Sequence, residues 1–587
     1  MLRARARRKL ANTNMADPTS HTSPRWRLWI VLLLLATAAC LYAPDWDGGL
    51  AAHPDERFLL SVAQSTPLWG DPNILHPNFP YGHLPLYVAG LLARVAPHAN
   101  LTYTARLFCA LLGVLLVATA GAWGKRLAGE WGGLLAAATF ACAPFPIQLA
   151  HFYTVDPFAA LLSSLALLLA LRRRYFLAGL FAGWTLASKA SMIWLGGGLL
   201  AALWLTTQAV PVAGRWWMPT LLWRREARPR LRPALQLAVG SLLGFAEVSP
   251  WALLAPARNW AGALIQARMV AGQLDYPYTR QYAGTLPYLY PLAQLALWGL
   301  GLTATLAALL GLALALRGWR TRSPALRVAW LWTVGYFIVT AGMYVKFPRY
   351  LLPIYPLLAA WGAFAVREFS ILDFRFWPPQ FTIRHSPFAI RLFAIGFLLL
   401  PTLALGVGQL SLYTQPHPWI AASHWIYESA PPGSLIAVEH WDHPLPVYLP
   451  GKSPSIYQQQ TMLVFAPDTA EKATELGEVF MQADMLVFAS RRGYGALIRL
   501  PERYAETLDW YTRVFAAPDR KVRVFARCAR LGPLALSDDP FSDAGLPAPV
   551  NLAERCGTRW ALRLPRLDES FRVYDAPLTI VFYRGSE

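Results

Sequence analysis

Charge is the first thing this sequence is short of. Only 15% of its 587 residues are Asp, Glu, Lys or Arg, 55% are hydrophobic, and the mean hydropathy is +0.33. That excludes a soluble domain of ordinary composition and points to a membrane as solvent. Also missing are a P-loop, a Gly-rich dinucleotide fingerprint and any Ser-His-Asp order, which argues against chemistry on soluble nucleotides. No transmembrane repeat is visible, such as would mark an inverted-repeat transporter, and no low-complexity linker. Cysteine is sparse too. Of the five, Cys40, Cys109 and Cys142 sit inside apolar runs and read as packing residues, whereas Cys528 and Cys556 lie in the polar tail and are disulfide candidates.

The formal charge of +20 would suit nucleic acid, but its placement does not. From Tyr413 onward there are 18 Lys/Arg against 20 Asp/Glu, so the surplus belongs to the apolar part. There it falls in short clusters between hydrophobic runs, the pattern of a positive-inside membrane topology. Nucleic acid is therefore not expected as a partner.

Runs long enough to cross about 30 Å of hydrocarbon predict an α-helical polytopic membrane protein of about eleven transmembrane helices. They lie near 27–43, 104–124, 131–149, 157–171, 175–188, 191–207, 234–255, 286–316, 328–345, 350–366 and 391–411. With the N-terminus inside, every inner segment is basic: Lys125 and Arg126; Arg172 to Arg174; Arg215, Arg224, Arg225, Arg228, Arg230 and Arg232; Arg317 to Arg327; Arg367 to Arg391. The stretch 175–207 has basic clusters on both sides, so it crosses twice, with the break near Ser188 and Lys189. The expected organisation is a cytoplasmic tail over 1–25, a transmembrane domain over 26–411 with a long first outer loop at 44–103, and an extracytoplasmic α/β domain over 412–587. The apolar run after Arg3, Arg5, Arg7, Arg8 and Lys9 reads as a signal anchor retained as the first helix. Within the loop, 54–64 and 84–95 read as interfacial helices. In the tail, helices are expected over 418–428 and 469–481, strands over 435–438 and 485–489, and a closing hairpin from 571–574 and 578–583.

The outer segments gather the ionisable residues. His53-Pro54-Asp55-Glu56 follows the first helix, and an adjacent Asp and Glu there can supply a general base for an acceptor hydroxyl. The alternative is a helix cap at Asp55 with Glu56 facing the helix dipole. Asp156, in His151-Phe152-Tyr153-Thr154-Val155-Asp156-Pro157, lies so close to hydrocarbon that it needs a partner, unless it too is an N-cap. Lys189 interrupts an apolar stretch, and Lys346-Phe347-Pro348-Arg349-Tyr350 begins a helix. Arg349 with Tyr350 could grip a phosphate, the alternative being snorkelling and aromatic anchoring. His53, His76, His83 and His151 share this side with the acids, which leaves a divalent metal open, although no pair has metal-ligand spacing on one helix.

An acidic pair after the first helix, an acid in the second outer loop and a late Arg-Tyr on the same face together resemble the GT-C membrane glycosyltransferases. The branch most similar is that of protein O-mannosyltransferases and lipid A aminoarabinose transferases. The resemblance is carried by His53 to Phe58, Tyr81 to Tyr87, His151 to Pro157 and Pro348 to Pro353, and covers about the first 411 residues. In the tail, Ser423 to Ile426, Pro432 to Ser434, Glu439 to Asp442 and Ser570 to Asp575 are similar to motifs of bacterial mannosyltransferase-like proteins. The resemblance implies a GT-C-like fold in the plasma (inner) membrane. It implies inverting transfer of mannose or a similar sugar from a polyprenyl-phosphate donor to a hydroxyl on a protein, lipid or glycan, with no certain cofactor. Asp55 would be the base, Glu56 its support, and Asp156 a second acid near acceptor or metal. His53, His83, His151, Tyr153, Lys189, Lys346, Arg349 and Tyr350 would contact substrate. Where aminoarabinose transferases carry a phosphate-binding Lys, this chain has His83, so His83, Lys189 or Lys346 must supply the charge. The competing expectations are a transporter or flippase for a lipid-linked substrate, and an inactive envelope protein whose tail binds a partner.

Overall fold

A computed structural model describes residues 25–207, 228–369 and 387–584. The basic residues of 1–24, together with Arg215, Arg224, Arg225, Arg375 and Arg384, lie outside the described residues. Each of the eleven apolar segments is helical. Five described helices are long and apolar enough to cross a membrane, or six if the pair Pro144–Ala150 and Val155–Leu171, bent by 113°, is one span. The chain is a multi-pass membrane protein.

Local breaks explain why fewer long helices are seen than crossings expected. Leu101–Cys142 is helical on both sides of Gly129, which sits at φ +79°, a conformation that costs glycine nothing. In a straight helix Gly121 and Ala137 would be about 24 Å apart. Here a Cβ on Gly121 would lie 3.3 Å from that of Ala137, so the segment folds back at Gly129 as the two-helix reading of 104–124 and 131–149 requires. Tyr175–Ser188 ends where the basic clusters predict. Lys189 is extended, and a 3-10 turn over Ala190–Trp194 leads into Leu195–Thr207. The stretch expected as one helix over 286–316 is instead divided into Leu289–Gln294, a π turn over Leu295–Gly299 and Leu302–Ala315, with Gly301 at φ +88°.

Small residues set one of the close helix pairs. A Cβ at Gly179 would meet the carbonyl of Leu237 at 2.2 Å, and one at Gly240 the carbonyl of Phe176 at 2.2 Å. Glycines four apart on both helices, Gly179 with Gly183 and Gly240 with Gly244, thus let Tyr175–Ser188 and Arg228–Val248 touch backbone to backbone. The two first-loop helices form as expected, as Pro54–Ser65 and His83–Val95.

Among the described residues all strands follow residue 434. A five-stranded sheet has the order β2-β1-β3-β8-β4, from β1 (Leu435–Glu439), β2 (Gln458–Met462), β3 (Met485–Phe488), β4 (Arg520–Phe525) and β8 (Thr579–Arg584). β1 runs parallel to β2 and β3, and β8 antiparallel to β3 and β4. A smaller sheet joins β5 (Ala529–Leu531), β6 (Leu534–Asp538) and β7 (Trp560–Leu564). Helices Pro418–Ser429 and Ala470–Gln482 stand where the periodicity predicts. Cys528 and Cys556 are joined, their Cα atoms 5.4 Å apart.

The closing hairpin is a correction. Of its two halves only β8 is a strand, and it pairs with β3 and β4 rather than with 571–574. Residues 568–575 are recruited by the helices instead. Asp568 accepts from the hydroxyls of Tyr282 at 3.1 Å and Tyr290 at 2.8 Å. The Asp575 carboxylate accepts from Gln148 and Gln409 and from the Tyr413 hydroxyl, each at 3.0 Å. Buried hydrogen bonds of this kind outweigh a local β preference.

Candidate active site

The site begins with a helix start. His53 caps Pro54–Ser65, its Nδ1 accepting the Asp55 N–H at 3.2 Å, and Pro54 occupies the first turn. Burial keeps this imidazole neutral, its pKa pushed down to about 3, as an accepting Nδ1 requires. Asp55 and Glu56 are consecutive on the helix, so their side chains diverge by about 100°. The structure sends them to different places.

Glu56 is fully buried and receives Arg106 Nε at 2.9 Å, Arg106 Nη2 at 2.6 Å and the Tyr153 N–H at 2.9 Å. Arg106 also forks onto Asp47, at 2.8 and 2.7 Å. Asp47 in turn accepts the Ala52 N–H at 2.8 Å. Glu56 therefore ties the loop that carries Asp55 to the loop that carries Asp156. Its carboxylate is taken up by those contacts and stands behind Asp55, off the cavity wall.

Asp55 faces a cavity of about 770 Å³. There Arg349 Nη2 lies 3.1 Å from Asp55 Oδ2, Arg349 Nε lies 3.8 Å from Asp156 Oδ2, and Lys189 Nζ donates to Asp156 Oδ1 at 2.6 Å. Arg349 rests on the Phe347 ring at 4.3 Å, and Lys189 on the Tyr350 ring at 4.4 Å. Tyr336 fixes the turn by donating to the Tyr350 carbonyl at 3.0 Å. Arg349 Nη1 is buried without a hydrogen-bond partner. Burial tends to raise the Asp55 pKa, but Arg349, a hydrogen bond from Tyr81 and Lys189 outweigh it and hold the carboxyl below its ordinary value. A carboxylate beside two fixed cations results. Ile193, Trp194, Trp260, Leu264 and Val270 add an apolar stretch to the wall, as in a pocket for a ligand with a greasy body and a charged head.

Of the residues singled out in the sequence, Asp55, Asp156, Lys189, Arg349 and Tyr350 share this cavity. Lys346, by contrast, donates to Thr285 Oγ1 at 3.1 Å and the Tyr344 carbonyl at 2.8 Å, off the wall. His83 Nδ1 is 3.0 Å from Ser249 Oγ, and burial lowers its pKa to about 4. It therefore carries no charge for a phosphate, and Lys189 is the lysine that stands beside the acids. His151 has its ring nitrogens 2.8 and 2.7 Å from the carbonyls of Ile147 and Tyr42. Tyr153 donates to the Pro85 carbonyl at 2.6 Å. His53, His151 and Tyr153 are thus framework rather than cavity wall. Among the described residues no three His, Cys, Asp or Glu side chains gather as metal ligands. Asp55 and Asp156 already face Arg349 and Lys189, so the donor set does not fit a divalent ion.

Sequence reading missed Arg57, Tyr81 and Tyr278, and from the tail Trp441, Asp442, Arg492 and Tyr574, all of which line the cavity. The tail motifs 439–442 and 570–575 contain three of them, and that was the available signal.

One contact holds Lys189 in place. A Cβ at Gly82 would meet the Ala187 carbonyl at 2.2 Å and the Ser188 carbonyl carbon at 2.4 Å. Gly82→Ala must push that backbone away. It is expected to destabilise the protein by about 1–3 kcal/mol, read by thermal unfolding.

No protein-family model and no curated protein matches the sequence. Among solved structures, ArnT from Cupriavidus metallidurans bound to undecaprenyl phosphate aligns over 80% of this chain and 94% of its own, with 17% identity and a TM-score of 0.46. The Archaeoglobus fulgidus oligosaccharyltransferase in its apo form aligns over 84% and 72%, with 13% identity and a TM-score of 0.47. The arabinofuranosyltransferase AftD from Mycobacteria aligns over 96% and 40%, with 17% identity and a TM-score of 0.38.

Proposed function

We propose that the chain is a glycosyltransferase that moves a sugar from a polyprenyl-phosphate donor to a hydroxyl acceptor, with inversion. The observation that supports it most directly is that Arg349 contacts both Asp55 and Asp156 inside one cavity that also has apolar wall residues such as Ile193, Trp260 and Leu264. The acceptor hydroxyl stands at Asp55, which takes its proton as the oxygen attacks the anomeric carbon. The bond from that carbon to the phosphate oxygen breaks, and the polyprenyl phosphate leaves with the electron pair. Arg349, through its unpartnered Nη1, and Lys189 offset the charge that develops on the phosphate. Glu56 positions Asp55 and does not itself react.

The test offers the purified protein in lipid nanodiscs a panel of undecaprenyl-phosphate hexoses and pentoses with peptide, lipid and glycan acceptors. Release of undecaprenyl phosphate coupled to acceptor glycosylation is the expected result. Transport of labelled lipid across a vesicle bilayer without sugar transfer would favour a flippase and end this reading.

The proposed topology has the N-terminus in the cytoplasm and the cavity and tail on the outer side of the plasma (inner) membrane. Basic inner segments and the Cys528–Cys556 disulfide support it. Alkaline phosphatase fused after residue 584 should be active in that arrangement, and inactivity would reverse the orientation.

A further inference from the structure

The wall that the tail contributes has a character of its own. Trp441 is 49% exposed and has φ +69°, a backbone conformation that bulky residues rarely adopt. An indole held half exposed on a strained backbone is not filling a core. It presents its ring to the cavity beside Tyr276 and Tyr278, at centroid distances of 6.4 and 6.3 Å, and those two tyrosines stack with planes 4° apart. Tyr278 in turn lies 6.2 Å from Phe347, the ring under the Arg349 guanidinium. A row of aromatic faces therefore runs from the tail to the charged centre.

Fixed polar groups border that row. Arg492 donates to the Trp441 carbonyl at 2.9 Å and to Glu569 Oε2 at 3.2 Å, and stands 3.9 Å from Asp442. The Asp442 side chain is 6% exposed, and its Oδ2 has no hydrogen-bond partner.

We infer that Trp441, Tyr278, Arg492 and Asp442 form an acceptor subsite for a saccharide ring, so that the accepting hydroxyl belongs to a glycan. The inference rests on the glycosyl-transfer reading above. A sugar ring offers a C–H face to an aromatic side chain and a rim of hydroxyls to fixed charges, which is the arrangement present here. Recognition of an extended peptide by strand addition would call for an open sheet edge, and neither edge strand of the five-stranded sheet, β2 or β4, reaches the cavity wall.

The test is saturation-transfer NMR on the full-length protein in nanodiscs, without donor, using mannan, arabinan and galactan oligosaccharides and a Ser/Thr-rich peptide as probes. At least one oligosaccharide should receive saturation. Trp441→Ala and Arg492→Gln should each weaken that binding about tenfold or more, Trp441→Phe by no more than about threefold, with undecaprenyl phosphate binding in Trp441→Ala close to wild type. Thermal unfolding of each variant shows whether a loss comes from misfolding, and Arg492→Gln carries the test if Trp441→Ala unfolds. Binding of the peptide alone, of nothing, or of saccharide equally by wild type and all variants would overturn the inference. Saccharide binding that depends on Trp441, in a protein that transfers no sugar from any donor, would uphold the subsite and remove the transfer reading. Glycosylation of the peptide with no saccharide bound would do the reverse.

Discussion

Asp55→Asn is expected to lower sugar transfer about a thousandfold while leaving undecaprenyl phosphate binding within about threefold. The amide has nearly the shape of the carboxylate and still accepts a hydrogen bond from Tyr81, so little of the fold depends on the change. What disappears is the ability to take a proton. The phosphate-binding group survives, because Arg349 keeps Asp156 as a partner at 3.8 Å and Lys189 stays on Asp156 at 2.6 Å. Donor binding and transfer should therefore separate, measured by titration and by single-turnover transfer. Full transfer by the variant would remove Asp55 from the base role.

The same carboxylate sets an acid limb. A base works only when ionised, so the rate is held above its pKa and lost as pH falls through it. Arg349, Tyr81 and Lys189 together hold Asp55 below the ordinary aspartate range despite burial, so its limb falls below that range and the neutral region is flat. Tyr81→Phe removes one of the groups that favour the charged form. The limb should then move upward.

The largest loss of stability is expected at Arg106. Arg106→Met removes the one cation shared by two buried carboxylates, Asp47 and Glu56, whose side chains have no exposure. Breaking a buried pair by deleting one partner costs about 3–5 kcal/mol, because the remaining charge stays desolvated. Here two are stranded. The damage reaches the active site, since Glu56 also accepts the Tyr153 N–H and so links the two acidic loops. Neutralising all three groups together, in Asp47→Asn, Glu56→Gln and Arg106→Met, should restore much of the melting temperature, because no buried charge is then left alone. Transfer should recover less than stability. A triple variant no more stable than Arg106→Met would show that the triad is not the source of the loss.

Glu56 marks where sequence reading stops. The family resemblance names Asp55 as the base and Glu56 as its support, but nothing in the residues themselves says which acid meets the cavity, since both sit in the first turn of one helix. The choice is made by Arg106, 50 residues further on, which draws Glu56 inward. The cations were equally ambiguous: His83, Lys189 and Lys346 were interchangeable on paper, and the hydrogen bond between His83 and Ser249 and those that Lys346 donates to Thr285 and Tyr344 settle two of them away from the acids. In the tail, Phe571 to Tyr574 has the composition of a strand, yet Gln148, Tyr282, Tyr290, Gln409 and Tyr413 hold that segment against the helices.

The sequence by itself determined the solvent, the eleven apolar segments, the breaks at Lys189 and after Lys125, and the loops that bear Asp55, Asp156 and Arg349. These follow from composition and charge along short windows, because transfer to hydrocarbon and the positive-inside bias act on each segment separately. The tertiary structure alone decided that those three residues meet, that Glu56 stands behind them, and that Trp441, Asp442, Arg492 and Tyr574 complete the wall. Such choices depend on packing between distant parts of the chain, as when Arg527 donates to the Trp46 carbonyl across 481 residues at 2.8 Å. No local pattern encodes a contact whose free energy exists only once both partners are buried together.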